Sequence, residues 1–378
     1  MIALHFGAGK IGRGFIGAVL CRAGYDVVFA DIDRRIVDLL NQEGGYTVHV
    51  MDSVCREEAV SGVRAVLLDT AAEEVAGADL VTTAVSIKFL SGAAPVIAEG
   101  IRRRRDARTR TPLTVIACEN GVRATTMLKQ MVFEHLNDTD RVWADDHVAF
   151  ADCSVDRIVP PIACGNPLDV AVEEFYEWNV DKTQLLSVLP PVPGMHLTGD
   201  LLSHIERKLY TLNTGHCSTA YFGALRGYSY IYEALDDPAV EAEVRGVMGE
   251  SSEALIRKFS LDPAVQYAYI DQILSRFRNP FLKDTIARVG RDPLRKLSAP
   301  LYFAYPLQMA SGFGLPTVHL CRAAAAALRF DMADDPQCAR IREMIGTLGL
   351  ERAVAEIMSL SSPELIQAIA NAYHNLIP

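Results

Sequence analysis

Lys208, Asn213 and His216 stand in the nine-residue stretch Lys208-Leu-Tyr-Thr-Leu-Asn213-Thr-Gly-His216. An amine, an amide and an imidazole are thus set within about two and a half helical turns. Such a group can move a proton on and off an alcohol oxygen. An ammonium that loses its proton is a general base, an amide donates to a developing alkoxide, and an imidazole holds the reacting oxygen or the lysine. On an ideal helix Lys208 and Asn213 are about 140° apart and Asn213 and His216 about 60° apart. The amide and imidazole then share a face and the lysine stem must reach round to them, unless a break near Thr214-Gly215 tightens the arrangement. A lysine at its reference pKa of roughly 10.4 is a poor base at neutral pH, so the site must depress it. Desolvation in a cleft and the neighbouring Arg207 would both do so, and about two units correspond to roughly 2.7 kcal/mol. The competing structural reading is a surface cation beside Arg207 and a histidine that caps or packs.

A second constellation opens the chain. The apolar run Ile2-Ala-Leu-His-Phe6 leads into Gly7-Ala8-Gly9-Lys10-Ile11-Gly12 and then into the helical pattern from Arg13 to Leu20. Gly7 suits a tight turn, Gly9 lets backbone N–H groups approach a pyrophosphate, and Gly12 lets the helix pack close to the strand. The next strand, Asp26 to Asp31, ends on an acid nineteen residues after Gly12, where a carboxylate accepts from ribose hydroxyls. The expected ligand is NAD rather than NADP, because a 2′-phosphate would meet like charge at Asp31; Arg34 and Arg35 lie close by as the counterweight.

The elements that must position these residues follow from length and pattern. A chain of 378 residues, half of them hydrophobic, suits two domains. Short apolar runs at 46–51, 63–68, 79–85, 113–118 and 147–154 alternate with helical or loop segments, the mark of a mostly parallel sheet covered by helices. The 79–85 strand ends in small residues, including Ala84, where a cofactor can lie across the strand ends. Glu119-Asn120-Gly121 forms a polar elbow after a buried strand; Asn120 either donates to the substrate or nicotinamide side or is a turn residue. Beyond Pro190-Pro-Val-Pro-Gly194 the period becomes helical, over 201–212, 239–259, 264–277, 318–328, 339–348 and 363–376. The expected architecture is α/β plus all-α: a Rossmann domain over residues 1–192 and a helical catalytic domain over 193–378, with the active site in a cleft between them.

A net charge of −10 disfavours a nucleic-acid partner. With no signal peptide and no run of eighteen apolar residues, the expectation is a cytoplasmic protein without membrane contact, a monomer or homodimer. The eight cysteines are scattered without a CxxC pair and read as free core thiols, Cys217 included. No HExxH is present, and metal binding is not expected.

Several longer motifs carry a resemblance. Leu4 to Gly9, Ile11 to Gly17, Asp79 to Val85, Ala117-Cys-Glu-Asn120, Val155-Asp-Arg-Ile-Val-Pro-Pro161, Arg207-Lys-Leu, Thr211 to His216 and Pro293-Leu-Arg-Lys-Leu-Ser298 together resemble the polyol-specific long-chain dehydrogenase/reductases, the mannitol dehydrogenase family. The resemblance spans nearly the whole chain. It implies a metal-independent enzyme with an extended Rossmann domain, whose K-x4-N-x2-H signature falls on Lys208, Asn213 and His216 with the lysine as general acid/base. It further implies that Asn120 and Asn213 hold the reacting oxygen and that Asp156 orders substrate or cofactor. The expected reaction is NAD-dependent interconversion of D-mannitol 1-phosphate and D-fructose 6-phosphate. Arg291, Arg295 and Lys296 are then the candidate ligands of the sugar phosphate, against a helix-end ion-pair cluster with Asp292. Two alternatives stand beside this: a sister activity on free mannitol or hexuronates, and an NADH-sensing regulator with no chemistry at all.

Overall fold

The computed structural model describes residues 1–52, 55–160 and 165–376; Pro161 of the resemblance motif and Cys164 lie outside the described residues. The chain forms two compact units, Met1–His204 and Ile205–Pro378.

The strands of the first unit are β1 (Ile2–Phe6), β2 (Asp26–Asp31), β3 (Gly45–Val50), β4 (Arg56–Ser61), β5 (Arg64–Leu67), β6 (Leu80–Thr83), β7 (Leu113–Ala117), β8 (Val148–Phe150), β9 (Cys153–Asp156), β10 (Val170–Val172), β11 (Glu177–Asp181) and β12 (Met195–Thr198). Six of them make one parallel sheet in the order β5-β2-β1-β6-β7-β8. This is a Rossmann order, and its direction reverses between β1 and β6, where such sheets leave a crevice at the carboxyl ends. Strands covered on both faces read as continuous apolar runs, and β7, Leu-Thr-Val-Ile-Ala, is buried at every position.

Two expected strands belong elsewhere. The 46–51 run is not in the parallel sheet: β3 pairs antiparallel with β4 and parallel with β10 in a separate three-stranded sheet. The 147–154 run is two strands, because the chain leaves the main sheet after Phe150 and enters a third sheet, β12-β11-β9, at Cys153. Asp152 sits at this crossing with its carboxylate accepting from the Thr126 amide at 2.9 Å.

The second unit is helical. Its long helices start on an acceptor followed by proline: Asp237-Pro238, Asp262-Pro263, Asp335-Pro336 and Ser362-Pro363, each N-cap side chain accepting from a backbone N–H of the first turn. The cap fills an orphan donor and the proline removes another. The helix Thr214–Leu225 runs through the core, with Gly215 against Met248 and Gly223 against Ala234 and Ile286. Ala323 to Ala327, on the helix Val318–Arg329, are fully buried.

Candidate active site

In the first unit the glycine turn is built for close approach. Gly7 has φ +100°, and a Cβ there would come within 2.7 Å of the Ala84 carbonyl oxygen. Its amide donates to Ala30 at 2.8 Å, tying β1 to β2, and the Ala84 amide donates to Phe6, tying β6 to β1. A Cβ on Gly9 would meet nothing within 4 Å, whereas one on Gly12 would strike the Gly7 carbonyl and the His5 ring. The first is open space for a ligand and the second is helix packed on strand. After Gly12 the chain makes a π-turn, Gly12–Gly17, before the α-helix Ala18–Arg22. His5 lies beneath, fully buried, with Nδ1 2.7 Å from the Thr82 hydroxyl; burial pushes its pKa down to about 3, so it is neutral.

Asp31 closes the turn from the end of β2. Its Oδ2 accepts from the Ala8 amide at 2.6 Å and its Oδ1 from the Asp33 amide at 2.9 Å. Each carboxylate oxygen has a second lone pair, which remains for a ligand. Gly7, Gly9, Asp31 and Ala84, with apolar walls from Ile32, Leu68 and Phe89, line a cavity of about 470 Å³. Its size and chemistry fit a nucleotide: backbone amides at one end, a carboxylate at the ribose position, and apolar faces for a base. Lys10 and Ile11 are exposed beside the turn. Asn120 is exposed after β7 and does not line the cavity.

Three charges hold this region, Glu119 and Arg13 buried and Arg157 half-buried. Glu119 accepts from the Thr83 hydroxyl at 2.7 Å, the Val85 amide at 2.9 Å and the Ser86 amide at 2.8 Å, fixing the strand end that carries Ala84 while Ser86 adopts φ +76°. Arg13 donates to the Ala8 and Leu168 carbonyls. Arg157 donates to Gly14 at 3.0 Å and to Glu173, and burial, with Arg22 nearby, lowers it to about 10. Arg157 therefore braces the turn. Asp156, buried at the end of β9, lies in register with Glu177 and outside the cavity.

In the second unit the residues from Lys208 to Asn213 form a π-turn that runs directly into the α-helix Thr214–Leu225. The helix runs through Thr214-Gly215 without a break. Bonds of the i→i+5 type wind the chain more slowly than an α-helix, so residues five apart, such as Lys208 and Asn213, come closer to one face than the 140° of the ideal helix. The Leu209 carbonyl takes the turn's own i→i+5 bond from the Thr214 amide and a second from the Thr214 hydroxyl, while Tyr210 accepts from the Ser251 hydroxyl of a separate helix at 2.6 Å. Lys208 is half-buried. Arg207 turns to a different task, with its guanidinium 3.7 Å from the Tyr269 ring centroid and its Nε donating to Gln266 at 3.0 Å.

Two partners of this helix were invisible in the sequence. The carbonyl of buried Tyr302 accepts from the Thr214 hydroxyl at 2.7 Å; burial pushes its phenol up, and the nearby Arg295 guanidinium and Asn213 amide offset part of that. Asp284 lies 2.9 Å from Nε2 of His216. Asn213 and Arg295 thus both lie near one buried phenol. The structure separates the other two candidate phosphate ligands: Arg291 is exposed, while Lys296 is buried with its ammonium donating to the Val289 carbonyl. Cys217 is buried beside Lys296, and burial pushes its thiol up, in keeping with a packing role. Among the described residues no cluster of three His, Cys, Asp or Glu side chains is arranged to hold a metal ion. No described helix is long and apolar enough to cross a membrane.

Residues 1–194 match the mannitol dehydrogenase Rossmann domain and residues 200–377 the mannitol dehydrogenase C-terminal domain. The chain belongs to the mannitol dehydrogenase family. Solved structures share its fold. A D-sorbitol dehydrogenase in substrate-free form superposes with a TM-score of 0.84 at 17% identity, covering 98% of this chain and 92% of that one. Mannitol 2-dehydrogenase of Pseudomonas fluorescens, in ternary complex with NAD and D-mannitol, gives 0.76 at 20% identity, covering 100% and 92%. A D-mandelate dehydrogenase gives 0.51 at 11% identity, covering 90% and 99%.

Proposed function

We propose that the protein is an NAD-dependent mannitol-1-phosphate 5-dehydrogenase, interconverting D-mannitol 1-phosphate and D-fructose 6-phosphate. The observation that supports this reading most directly is that the Asn213 amide and the Arg295 guanidinium both lie close to the buried Tyr302 phenol. That arrangement sets a guanidinium beside the amide that would hold the reacting polyol. A neutral polyol has no need of that charge, and a phosphate dianion does.

Gly7, Ala8, Gly9, Gly12 and Asp31 would hold NAD, with Lys10 and Ile11 beside its pyrophosphate and Ala84 and Asn120 toward its nicotinamide. When bound, NAD supplies the hydride acceptor or donor. Lys208 Nζ takes the hydroxyl proton in the oxidative direction and returns it to the oxygen in the reductive one. The amides of Asn213 and Asn120 donate to that oxygen as charge develops on it. His216 steadies the reacting oxygen or the lysine, and Asp156 orders the bound molecules. Arg291 and Arg295 take the phosphate, while Lys296 would reach it only by giving up the Val289 carbonyl.

Two predictions arise here. Arg295→Ala should raise KM for fructose 6-phosphate by about ten- to a hundredfold, the weight of a charge-assisted hydrogen bond, with turnover of any unphosphorylated ketose unaffected; equal losses on both would contradict the phosphate role. Asp31→Ala should lower the ratio of NAD to NADP efficiency by on the order of tenfold, since the acid that selects a free 2′-hydroxyl is gone, and initial rates with both cofactors would show it. The runner-up is oxidation of a free polyol, the kind of substrate named for the sorbitol and mannitol 2-dehydrogenases that share the fold. A sensor that only binds NADH has no use for Lys208, Asn213 and His216 on one helix.

A further inference from the structure

We propose that Asp284 is the positioning residue of His216, holding the imidazole with its Nε2 toward the carboxylate so that Nδ1 is the nitrogen free to serve the reaction. The inference deepens the proposed proton-transfer role of Lys208, Asn213 and His216 and rests on it. Nε2 of His216 and Oδ2 of Asp284 are 2.9 Å apart, an ion-pair contact whose angle is not that of an aligned hydrogen bond. The opposite constraint comes from Phe277, on which the imidazole is stacked with centroids 4.4 Å apart and planes inclined by 18°. The ring is therefore clamped on one face and at one edge.

The carboxylate is the fixed member of the pair. Asp284 is 7% exposed, and Arg288 grips it in a fork, Nε to Oδ1 and Nη2 to Oδ2, both at 2.7 Å. Its own carbonyl accepts from the Ile231 amide at 2.9 Å, and the adjoining Thr285 bridges to Tyr230. Backbone and side chain are both tied down, so the imidazole adapts to the carboxylate. Burial alone would push the Asp284 carboxyl up, but His216 and Arg288 outweigh it and keep the group below its ordinary range, hence ionised. An ionised acceptor facing Nε2 favours a proton on that nitrogen. A ring protonated at Nε2 presents a lone pair at Nδ1.

The test is ¹⁵N NMR of the full chain labelled in its 9 histidines, at neutral pH, with the His216 signal assigned by its loss in His216→Gln. The expected result is a proton on Nε2 of His216 in the unaltered protein, and a smaller Nε2-protonated fraction in Asp284→Asn. A wild-type ring protonated at Nδ1 alone overturns the proposal without any variant having to fold, and so does an Asp284→Asn spectrum in which His216 is unchanged. Kinetics supply a second arm: Asp284→Asn should lower kcat by on the order of tenfold with NADH affinity unchanged, and should cost nothing further in a His216→Ala background. Additive losses would mean that Asp284 acts independently of His216. Wild-type protein inactive on every polyol and ketose would sink the proton-transfer reading, while the NMR result would still decide the His216–Asp284 pairing.

Discussion

Lys208→Ala should lower kcat by about 10²- to 10⁴-fold, the range that a positioned general acid/base supplies, and leave NADH affinity as it was. The lysine is at the first residue of the π-turn, half-buried, and the turn brings it toward the face that carries Asn213 and His216. Removing the amine leaves the amide and imidazole in place but with no group to take the hydroxyl proton. Because the cofactor fingerprint is on the other unit of the chain, fluorescence titration with NADH should give the wild-type affinity. Near-normal turnover in the variant would show that the proton goes elsewhere. Loss of NADH binding together with turnover would point to a structural lysine. Lys208→Arg separates charge from base function: it keeps a cation that does not give up its proton and should be nearly as impaired as the alanine variant.

The second large effect is at Gly12. A methyl group there would collide with the backbone carbonyl of Gly7 and lie 2.8 Å from Nε2 of His5. Neither neighbour can move far. The carbonyl belongs to the turn itself, and His5 is fully buried with its other nitrogen on Thr82. Gly12→Ala should destabilise the first unit by about 3 kcal/mol or more, as forced overpacking does, and abolish NADH binding because the turn must shift. Gly9→Ala is the matched control. Its Cβ has open space in this structure, so the melting temperature should hold while NADH affinity falls, the methyl standing where the pyrophosphate approaches. Equal stability of the two variants, read by thermal unfolding, would contradict the packing argument.

The dinucleotide half of the site was largely legible in the sequence because its signals are local. A strand, three glycines, a helix and an acid in register describe a turn whose geometry depends on residues close in the chain, and Gly7, Gly9, Asp31 and Ala84 do line one cavity. The helix starts of the second unit were legible for the same reason, since aspartate or serine before proline is a local instruction. The helix that carries the proposed proton-transfer residues was harder. Counting by an α-helical repeat put Lys208 and Asn213 on different faces. The π-turn that changes this is supported by Thr214 and by Ser251 of a separate helix, and no pattern within nine residues records that support. Asp284 and Tyr302 escaped notice because nothing local marks an aspartate that meets a histidine from another part of the fold. Arg295 and Lys296 make the point most simply: they are adjacent on one short helix, yet the arginine side chain is half exposed and the lysine is buried. The alternation of the 147–154 run likewise gave no sign that the chain changes sheets at Ala151-Asp152.

The measurement that bears most directly on the whole account is NADH oxidation with fructose 6-phosphate, run beside fructose and a hexuronate at matched concentrations. The account predicts strong turnover with the phosphate ester and little with the other two. Turnover confined to an unphosphorylated substrate would contradict the phosphate assignment of Arg291 and Arg295 while keeping the lysine mechanism, and no turnover with any of them would contradict the dehydrogenase reading itself.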